Sequence, residues 1–219
     1  MTSLRHHASL HGLYLILDPA VYPERPLHDV LRQSAAAGAK IFQYRNKTAS
    51  MKEAYAEALV LRQAAAEAGV LLIVNDRCDL ALAVDADGVH LGQDDLPYSY
   101  ARRLMGPDKF IGLSTHNADQ VREADQLKPD YLGFGPIFTP GSKEDHDPVV
   151  GLEGLRQARP LTRLPIFAIG GIHVDQVRAI RQAGADGVAV ISAVLKATDV
   201  QQAVCNLIAQ MTEPTSPAS

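Results

Sequence analysis

The sequence has only two cysteines, and their spacing is not typical of a metal or redox site. Cys78 and Cys205 lie far apart, each in a segment with helical periodicity. A disulfide framework or a thiolate metal site would require more cysteines at closer spacing. We therefore predict that both residues are buried thiols in a protein of the reducing cytoplasm.

Long hydrophobic runs and a strong net charge are also absent. Every apolar run is interrupted by Gly, Asp or Lys, so none is long enough to span a membrane. The segment from Met1 to His7 lacks the apolar core of a signal peptide. A net charge of −4 gives no reason to expect a nucleic acid or an anionic membrane as partner. We expect small-molecule partners, and whether the chain forms a homo-oligomer is left open.

A short apolar run followed by a helical segment recurs eight times along the chain. Such nearly continuous apolar runs are typical of parallel strands that are covered on both faces of a sheet. Their ends are marked by Gly, Pro, Asp or Asn. The predicted strands are Gly12–Asp18, Lys40–Arg45, Leu71–Asn75, Gly88–Gly92, Phe110–Thr115, Tyr131–Gly135, Ile166–Gly170 and Gly187–Ser192.

The number of these units, in a chain of 219 residues, predicts an α/β fold. Eight βα units match the count and size of a single (β/α)8 TIM barrel with eight parallel strands. A doubly wound open sheet is the alternative, but no Gly-x-Gly-x-x-Gly follows the first strand. We place one catalytic barrel domain at residues 9–211 and expect disordered tails at 1–8 and 212–219.

In such a barrel, residues at the carboxyl ends of the strands form the active site. On the second strand, Gln43, Arg45 and Lys47 lie on one side, whereas Phe42 and Tyr44 lie on the other. An anionic ligand would be a natural partner for the first group, because buried polar groups without partners are costly. A solvated turn is the alternative interpretation.

Two acidic residues follow neighbouring predicted strands. Asp76 follows the third strand, and Asp95 follows the fourth. Parallel strands lie about 4.8 Å apart, so both carboxylates can reach one cation. Two carboxylates, with phosphate and water oxygens in the other positions, are a usual arrangement for Mg²⁺. Helix capping by each acid is the alternative, and we expect the adjacent Asp94 to be a surface residue.

Glycines and hydroxyl groups at later strand ends indicate a phosphate site. Gly170 and Gly171 end the seventh strand, and Ser192 ends the eighth, where barrels often bind a phosphate. The connection after the sixth strand is the longest in the chain, and long loops are often lids. Ser142 and Lys143 in this loop could close over a phosphate, or the loop could be a mobile surface segment.

The fifth strand ends in Ser114, Thr115 and His116. Ser114 could bind a ligand and His116 could transfer a proton, but His116 is the only base near Ser114 in the sequence, and no third orienting group is evident. We interpret His90 as a core histidine whose hydrogen bonds are satisfied. No covalent nucleophile, redox motif or Walker loop is found, which favours chemistry that needs mainly a stabilised diphosphate leaving group.

Taken together, these motifs resemble the thiamine phosphate synthase family from about Gly12 to Ala193. The run Gln43-Tyr44-Arg45-Asn46-Lys47 is similar to the family's Gln-x-Arg-x-Lys. The other matching motifs are Val74-Asn75-Asp76, His90-Leu91-Gly92-Gln93-Asp94-Asp95, Gly112-Leu113-Ser114-Thr115-His116, Gly135-Pro136-Ile137-Phe138, Ile169-Gly170-Gly171-Ile172 and Ile191-Ser192.

The resemblance implies the joining of 4-amino-2-methyl-5-hydroxymethylpyrimidine diphosphate to 4-methyl-5-(2-phosphoethyl)thiazole. It implies that residues 43–47, Asn75, Ser114 and Lys143 hold the pyrimidine diphosphate, and that Asp76 and Asp95 bind Mg²⁺. Arg45, Lys47, Ser114 and Lys143 are the predicted catalytic residues. The thiazole phosphate would be held by Pro140, Gly141, Ser142, Gly171, Ile191 and Ser192.

One departure and two rival functions accompany this resemblance. Pro140 occupies a position where the family usually has threonine, so Pro140 and Gly141 would contribute backbone contacts only. A related thiazole tautomerase would use an acid–base histidine such as His116, and a phosphate-binding paralogue would lack catalysis. The presence of both Asp76 and Asp95 favours the transferase.

Overall fold

A computed structural model of the chain describes residues 10–139 and 148–212. Eight parallel strands form a closed barrel in which each strand pairs with its sequence neighbours and β8 pairs with β1. The predicted α/β barrel is therefore confirmed. The strands are β1 Gly12–Leu17, β2 Ile41–Tyr44, β3 Leu71–Asn75, β4 Gly88–Leu91, β5 Phe110–Thr115, β6 Tyr131–Phe134, β7 Ile166–Ile169 and β8 Gly187–Val190.

Helices follow the strands and surround the barrel. Local sequence explains their ends: Ser50 and Glu53 form a capping box at the start of α2, and Gly69 ends that helix in the left-handed region. The helices are α1 Leu27–Ala36, α2 Met51–Ala68, α3 Cys78–Ala83, α4 Tyr98–Met105, α5 Ala118–Leu127, α6 Gly151–Ala158, α7 Val177–Gln182, α8 Ser192–Leu195 and α9 Val200–Thr212. In the described part of the chain, no helix has the length and apolar character of a membrane span.

The alternation of side chains along each strand produces two apolar layers. In β1, Tyr14 and Ile16 belong to a cluster inside the barrel, whereas Leu15 and Leu17 pack between the barrel and the helices. The interior cluster is polar as well as apolar, because the hydroxyl groups of Tyr14 and Tyr131 meet there, 2.8 Å apart. This interior lies directly below the ends of the strands that carry the predicted site.

Three aspartates connect neighbouring strands at the amino-terminal end of the barrel. Asp87, Asp130 and Asp186 each precede an even-numbered strand and accept a backbone N–H from the strand before it, at 2.8 Å. Each of these carboxylates also pairs with an arginine, respectively Arg62, Arg102 and Arg159. At this end of the barrel the described acids therefore have their partners within the protein.

The prediction for the two cysteines is only half right. Cys78 is buried, and burial raises the pKa of its thiol, whereas Cys205 is exposed on α9. The prediction that Cys205 is buried is therefore wrong. Neighbours of Cys205 such as Val204 and Leu207 supply the apolar face of α9 that packs inward, which leaves Cys205 on the outer side of this helix.

Candidate active site

Side chains of β2 alternate between the barrel interior and the helix layer, as the sequence predicts. Gln43 points inward, and its amide nitrogen donates to the Tyr14 hydroxyl at 2.8 Å. Tyr44 points outward, and its hydroxyl donates to Glu57 on α2 at 2.6 Å. The Tyr44 side chain thus lies away from the barrel mouth, so only its backbone is placed to contribute to the predicted substrate binding.

Arg45 is held at the end of β2 by Asp18, a buried acid that follows β1. Its guanidinium pairs with one carboxylate oxygen of Asp18, while the other accepts the Ala20 N–H at 3.0 Å. Sequence reasoning missed Asp18 as a site residue, although its position directly after the first strand was a usable signal. The pairing directs Arg45 without leaving its charge unbalanced.

Asn46 shapes the turn that follows Arg45. Its side-chain amide donates to Glu57 at 3.0 Å, and its side-chain oxygen accepts the N–H groups of Thr48 and Ala49. Both ends of the amide are thereby used within the protein. We conclude that Asn46 supports the loop in which the exposed Lys47 extends toward the next strand.

Lys47 and Asp76 are in contact across the ends of β2 and β3. The Lys47 ammonium lies 2.6 Å from a carboxylate oxygen of Asp76. Asp76 has a φ of 62°, a left-handed conformation that Asp tolerates better than most residues. Its N–H also donates to the His90 carbonyl on β4 at 2.8 Å, which fixes the turn beside the next strand.

Asp95 completes an acidic pair with Asp76. The two carboxyl groups lie within hydrogen-bonding distance of each other, and Asp95 also accepts the Gly92 N–H at 2.6 Å. Burial and the contact with Asp76 raise the pKa of Asp95, while the positive charge of Lys47 opposes the shift. Two acids this close favour a cation between them, since like charges at one site disfavour joint ionisation.

Helix capping does not explain these two acids. The cap residues of α3 and α4 are Arg77 and Pro97, and neither helix has a side-chain cap hydrogen bond. Asp94 is exposed, as the sequence predicts. Within residues 10–139 and 148–212, no group of three or more His, Cys, Asp or Glu side chains could hold a metal, so a cation here would rely on the carboxylate pair and ligand oxygens.

Ser114 has a base beside it that sequence reasoning missed. The Nε2 atom of His90 lies 2.9 Å from the Ser114 hydroxyl oxygen, across neighbouring strands β4 and β5. The prediction that His116 is the only nearby base is therefore wrong, because strand pairing brings distant residues together. His90 is buried, and burial lowers its pKa to about 4, which confirms the interpretation of a core histidine with satisfied hydrogen bonds.

His116 is oriented by the segment after β6. Its Nδ1 atom lies 2.6 Å from the Gly135 carbonyl oxygen, and because a carbonyl only accepts, this nitrogen carries the proton. The His116 backbone N–H donates to Gln120 on α5. These contacts fix the side chain of His116 between two strand ends.

The glycines after β7 allow close packing against the loop after β6. A Cβ atom on Gly170 would lie 2.5 Å from a Pro136 carbon, and one on Gly171 would lie 2.5 Å from the Thr139 carbonyl oxygen. Both glycines also have positive φ angles. The loop after β6 therefore begins directly over the end of β7. Ser192 is the first residue of α8, shortly after the end of β8.

The remaining predicted residues divide into two groups. Asn75 pairs in register with His90 at the end of β3, and Ile191 lies between β8 and α8; both are partly buried at the mouth. Pro140, Gly141, Ser142 and Lys143 lie outside the described residues, so their predicted contacts stay predictions.

Comparison with known proteins agrees with this geometry. The profile of the thiamine monophosphate synthase family matches residues 13–194. The chain is 47% identical over 195 residues to the thiamine-phosphate synthase of Chloroflexus aurantiacus, covering 89% of this chain and 90% of that protein. It is 44% identical over 191 residues to the enzyme of Syntrophomonas wolfei, covering 87% and 91%.

A solved structure agrees with these sequence relatives. The thiamine phosphate pyrophosphorylase of Pyrococcus furiosus superposes with a TM-score of 0.82 at 40% identity, covering 91% of this chain and 95% of that one. Fold, site and sequence similarity thus lead to one assignment. The chain belongs to the thiamine monophosphate synthase family.

Proposed function

We propose that the acidic pair Asp76 and Asp95, with the cations beside it, carries the family's reaction at the mouth of this barrel. The reaction condenses 4-amino-2-methyl-5-hydroxymethylpyrimidine diphosphate with 4-methyl-5-(2-phosphoethyl)thiazole and gives thiamine phosphate and pyrophosphate. It is a step of thiamine biosynthesis. The observation that supports the assignment best is the contact between the two carboxyl groups at the ends of β3 and β4.

Asp76 and Asp95 fit a bound Mg²⁺. Both are partly buried oxygen donors, and the contact between them raises the pKa of Asp95, as expected for two acids that lack a full counter-charge. When bound, Mg²⁺ supplies positive charge to the diphosphate oxygens as the leaving group departs. Lys47, which contacts Asp76, can shift its ammonium toward the same anion.

Cationic side chains of this chain offset the charge that grows on the departing diphosphate. Arg45 is oriented beforehand by Asp18, so little reorganisation is needed when the charge develops. Lys47 extends from an exposed turn at the same edge. Lys143 is assigned the same role by resemblance alone, because it lies outside the described residues.

The pyrimidine diphosphate is assigned to the side of the mouth formed by β2 to β5, where Gln43, Asn75 and Ser114 are found. The thiazole phosphate is assigned to the side formed by β7 and β8, with Gly171, Ile191 and Ser192, together with the loop residues 140–142. Separate subsites hold the two reactants near each other, which lowers the entropic barrier to their reaction.

No protein nucleophile is required for this mechanism. The electron-rich aminopyrimidine can support a methylene cation after the carbon–oxygen bond to the diphosphate breaks, and the thiazole nitrogen then donates its electron pair to that carbon. The hydroxyl of Ser114 is beside neutral His90 rather than an ion-paired base. This is consistent with a binding role for Ser114 in a dissociative displacement.

We also assign the protein to the cytoplasm. Both cysteines are free thiols rather than disulfide partners, which fits a reducing compartment. Size-exclusion chromatography with light scattering would measure the mass of the protein in solution and so test for a homo-oligomer.

The proposal is tested by mixing the protein with both phosphorylated substrates and Mg²⁺ and by measuring pyrophosphate release together with thiamine phosphate. We expect stoichiometric formation of both products, and no release when the thiazole phosphate is omitted. Excess chelator should stop turnover, and added Mg²⁺ should restore it. Unchanged turnover in chelator would contradict the metal assignment while leaving the condensation itself in place.

A further inference from the structure

The barrel interior contains a continuous chain of hydrogen bonds that connects two predicted substrate-binding residues. It runs from Gln43 on β2 through Tyr14 and Tyr131 to His90, and then to Ser114 on β5. The donor–acceptor distances are 2.8 Å, 2.8 Å, 3.2 Å and 2.9 Å in that order. Five residues from five different strands thus form one polar path through the barrel interior.

The rings of this path are fixed by packing. Tyr14, Tyr131 and Phe167 contact one another edge to face, with centroids 5.3–5.7 Å apart. His90 stacks on Tyr131 at 5.5 Å. With these neighbours, the hydroxyl groups and ring nitrogens have little freedom to find other partners.

Space for the path depends on a glycine in β5. A Cβ atom on Gly112 would lie 2.1 Å from Cζ of Tyr131 and 2.6 Å from Nδ1 of His90. Any side chain at this position would displace one of the two rings. Gly112 therefore allows the Tyr131–His90 contact, and this gives a structural reason for glycine in the middle of a buried strand.

Each hydrogen bond in the path has one direction. The amide nitrogen of Gln43 can only donate, so the Tyr14 hydroxyl accepts there and gives its single proton to Tyr131. Tyr131 in turn donates to Nδ1 of His90. A neutral imidazole has one N–H, which must then be on Nε2 and donate to the Ser114 oxygen.

The consequence concerns the Ser114 proton. Because the Ser114 oxygen accepts from His90, its own hydrogen is left to point toward an acceptor at the mouth. We propose that Tyr14, Tyr131 and His90 form a one-directional relay that fixes the Ser114 hydroxyl as a hydrogen-bond donor to the diphosphate. This inference depends on the proposed function, in which Ser114 contacts that ligand, and it makes Tyr131 a positioning residue.

A double-mutant cycle between Tyr131 and Ser114 tests the relay. Tyr131→Phe removes one hydroxyl and keeps the ring, so we expect kcat/KM for the pyrimidine diphosphate to fall about tenfold, as for the loss of one hydrogen bond to a charged group. In Ser114→Ala, kcat/KM for the pyrimidine diphosphate should fall by at least the same factor. The double variant should be no worse than Ser114→Ala alone, and KM for the thiazole phosphate should stay unchanged.

Thr115→Val is the matched control for loss of a buried hydroxyl. Thr115 is adjacent on β5, and its hydroxyl donates to the Gly133 carbonyl at 3.0 Å, outside the relay. We expect stability to fall as in Tyr131→Phe, with kcat/KM retained. A comparable loss of kcat/KM in Thr115→Val would overturn the relay, because any buried hydroxyl would then have the same effect.

The protonated nitrogen of His90 gives a readout that is independent of activity. Long-range ¹H–¹⁵N spectra of the whole protein should show the Nε2–H tautomer in the wild type, and Tyr131→Phe should reduce its population. An Nδ1–H tautomer in the wild type, or losses that multiply in the double variant, would overturn the relay. Full activity in Ser114→Ala would instead contradict the role of Ser114 in the proposed function.

Discussion

The two ends of the barrel use the same residue type in opposite ways. At the amino-terminal end, Asp87, Asp130 and Asp186 each bind a strand N–H and an arginine, so their charges are satisfied inside the fold. At the carboxyl-terminal end, Asp76 and Asp95 contact each other, and the ammonium group of Lys47 pairs with Asp76.

This contrast separates acids that stabilise the fold from acids that are placed to bind a ligand. An acid whose partners are a backbone N–H and an arginine contributes to stability, and removing it leaves those partners unsatisfied. An acid placed against another acid costs stability unless a ligand neutralises the pair. A strand-end aspartate is therefore interpreted from its partners rather than from its burial.

The largest expected effect comes from the carboxyl-terminal end. Asp95→Asn keeps the acceptor for Gly92 but removes one charge of the pair, so kcat should fall by at least about a hundredfold. The melting temperature should stay the same or rise, since a like-charge contact is lost. Pyrophosphate release and thermal unfolding measure the two quantities. A lower melting temperature with retained turnover would show that Asp95 resembles the acids at the other end.

The opposite pattern is expected at the amino-terminal end. Asp130→Ala leaves Arg102 and the Ile111 N–H without their carboxylate, so the free energy of unfolding should fall by about 3 kcal/mol. Turnover at a temperature where the variant is folded should be unchanged. Asp119→Ala is the control, because its carboxylate is 93% exposed in a surface pair and its loss should change stability by less than about 0.5 kcal/mol. Equal losses of stability in Asp130→Ala and Asp119→Ala would contradict a stabilising role for Asp130.

Between the two ends of the barrel, the buried His90 makes the stability of the protein depend on pH. Burial lowers its pKa from 6.5 to about 4, so the unfolded chain binds this proton more readily than the folded one. The contribution of neutral His90 to the free energy of unfolding is therefore fully present above pH 6.5 and decreases as the pH falls toward 4. The decrease between pH 7 and pH 5 is about 2 kcal/mol. Urea unfolding at pH 7 and at pH 5 should show a smaller difference in the free energy of unfolding for His90→Gln than for the wild type. An equal difference would contradict this role of His90.

The smallest expected effect is at Lys47. Its side chain is 54% exposed, so Lys47→Met should hardly change stability, because exposed ion pairs contribute little. KM for the pyrimidine diphosphate should rise about tenfold, as for loss of one charge-assisted hydrogen bond. Initial-rate kinetics measure this change, and an unaltered KM would remove Lys47 from the diphosphate site.

Sequence patterns predicted the fold well because each strand carries its own local signal. The predicted strand from Phe110 to Thr115 matches β5 in full. Several other strands end one or two residues earlier than predicted, as β8 does at Val190. In those cases, residues at the barrel mouth leave the hydrogen-bonded ladder to enter a loop or helix, and a pattern of apolar residues does not mark that point.

The site was predictable where acidic residues follow two neighbouring strands. Asp76 and Asp95 come together as expected because neighbouring parallel strands place their ends side by side. The contact of His90 with Ser114 was missed, since it depends on register across β4 and β5 and on the space above Gly112. The support of Arg45 by Asp18 was missed for a similar reason, because it joins β1 to β2.

We propose above that Asp76 and Asp95 share one divalent ion. The most direct test of this proposal is the binding of Mn²⁺, as a spectroscopic substitute for Mg²⁺, measured by electron paramagnetic resonance in the presence of pyrophosphate. We expect one bound ion per wild-type chain, and loss of that ion in Asp76→Asn and in Asp95→Asn, each with a melting temperature that stays the same or rises. Full Mn²⁺ binding in both variants would contradict it.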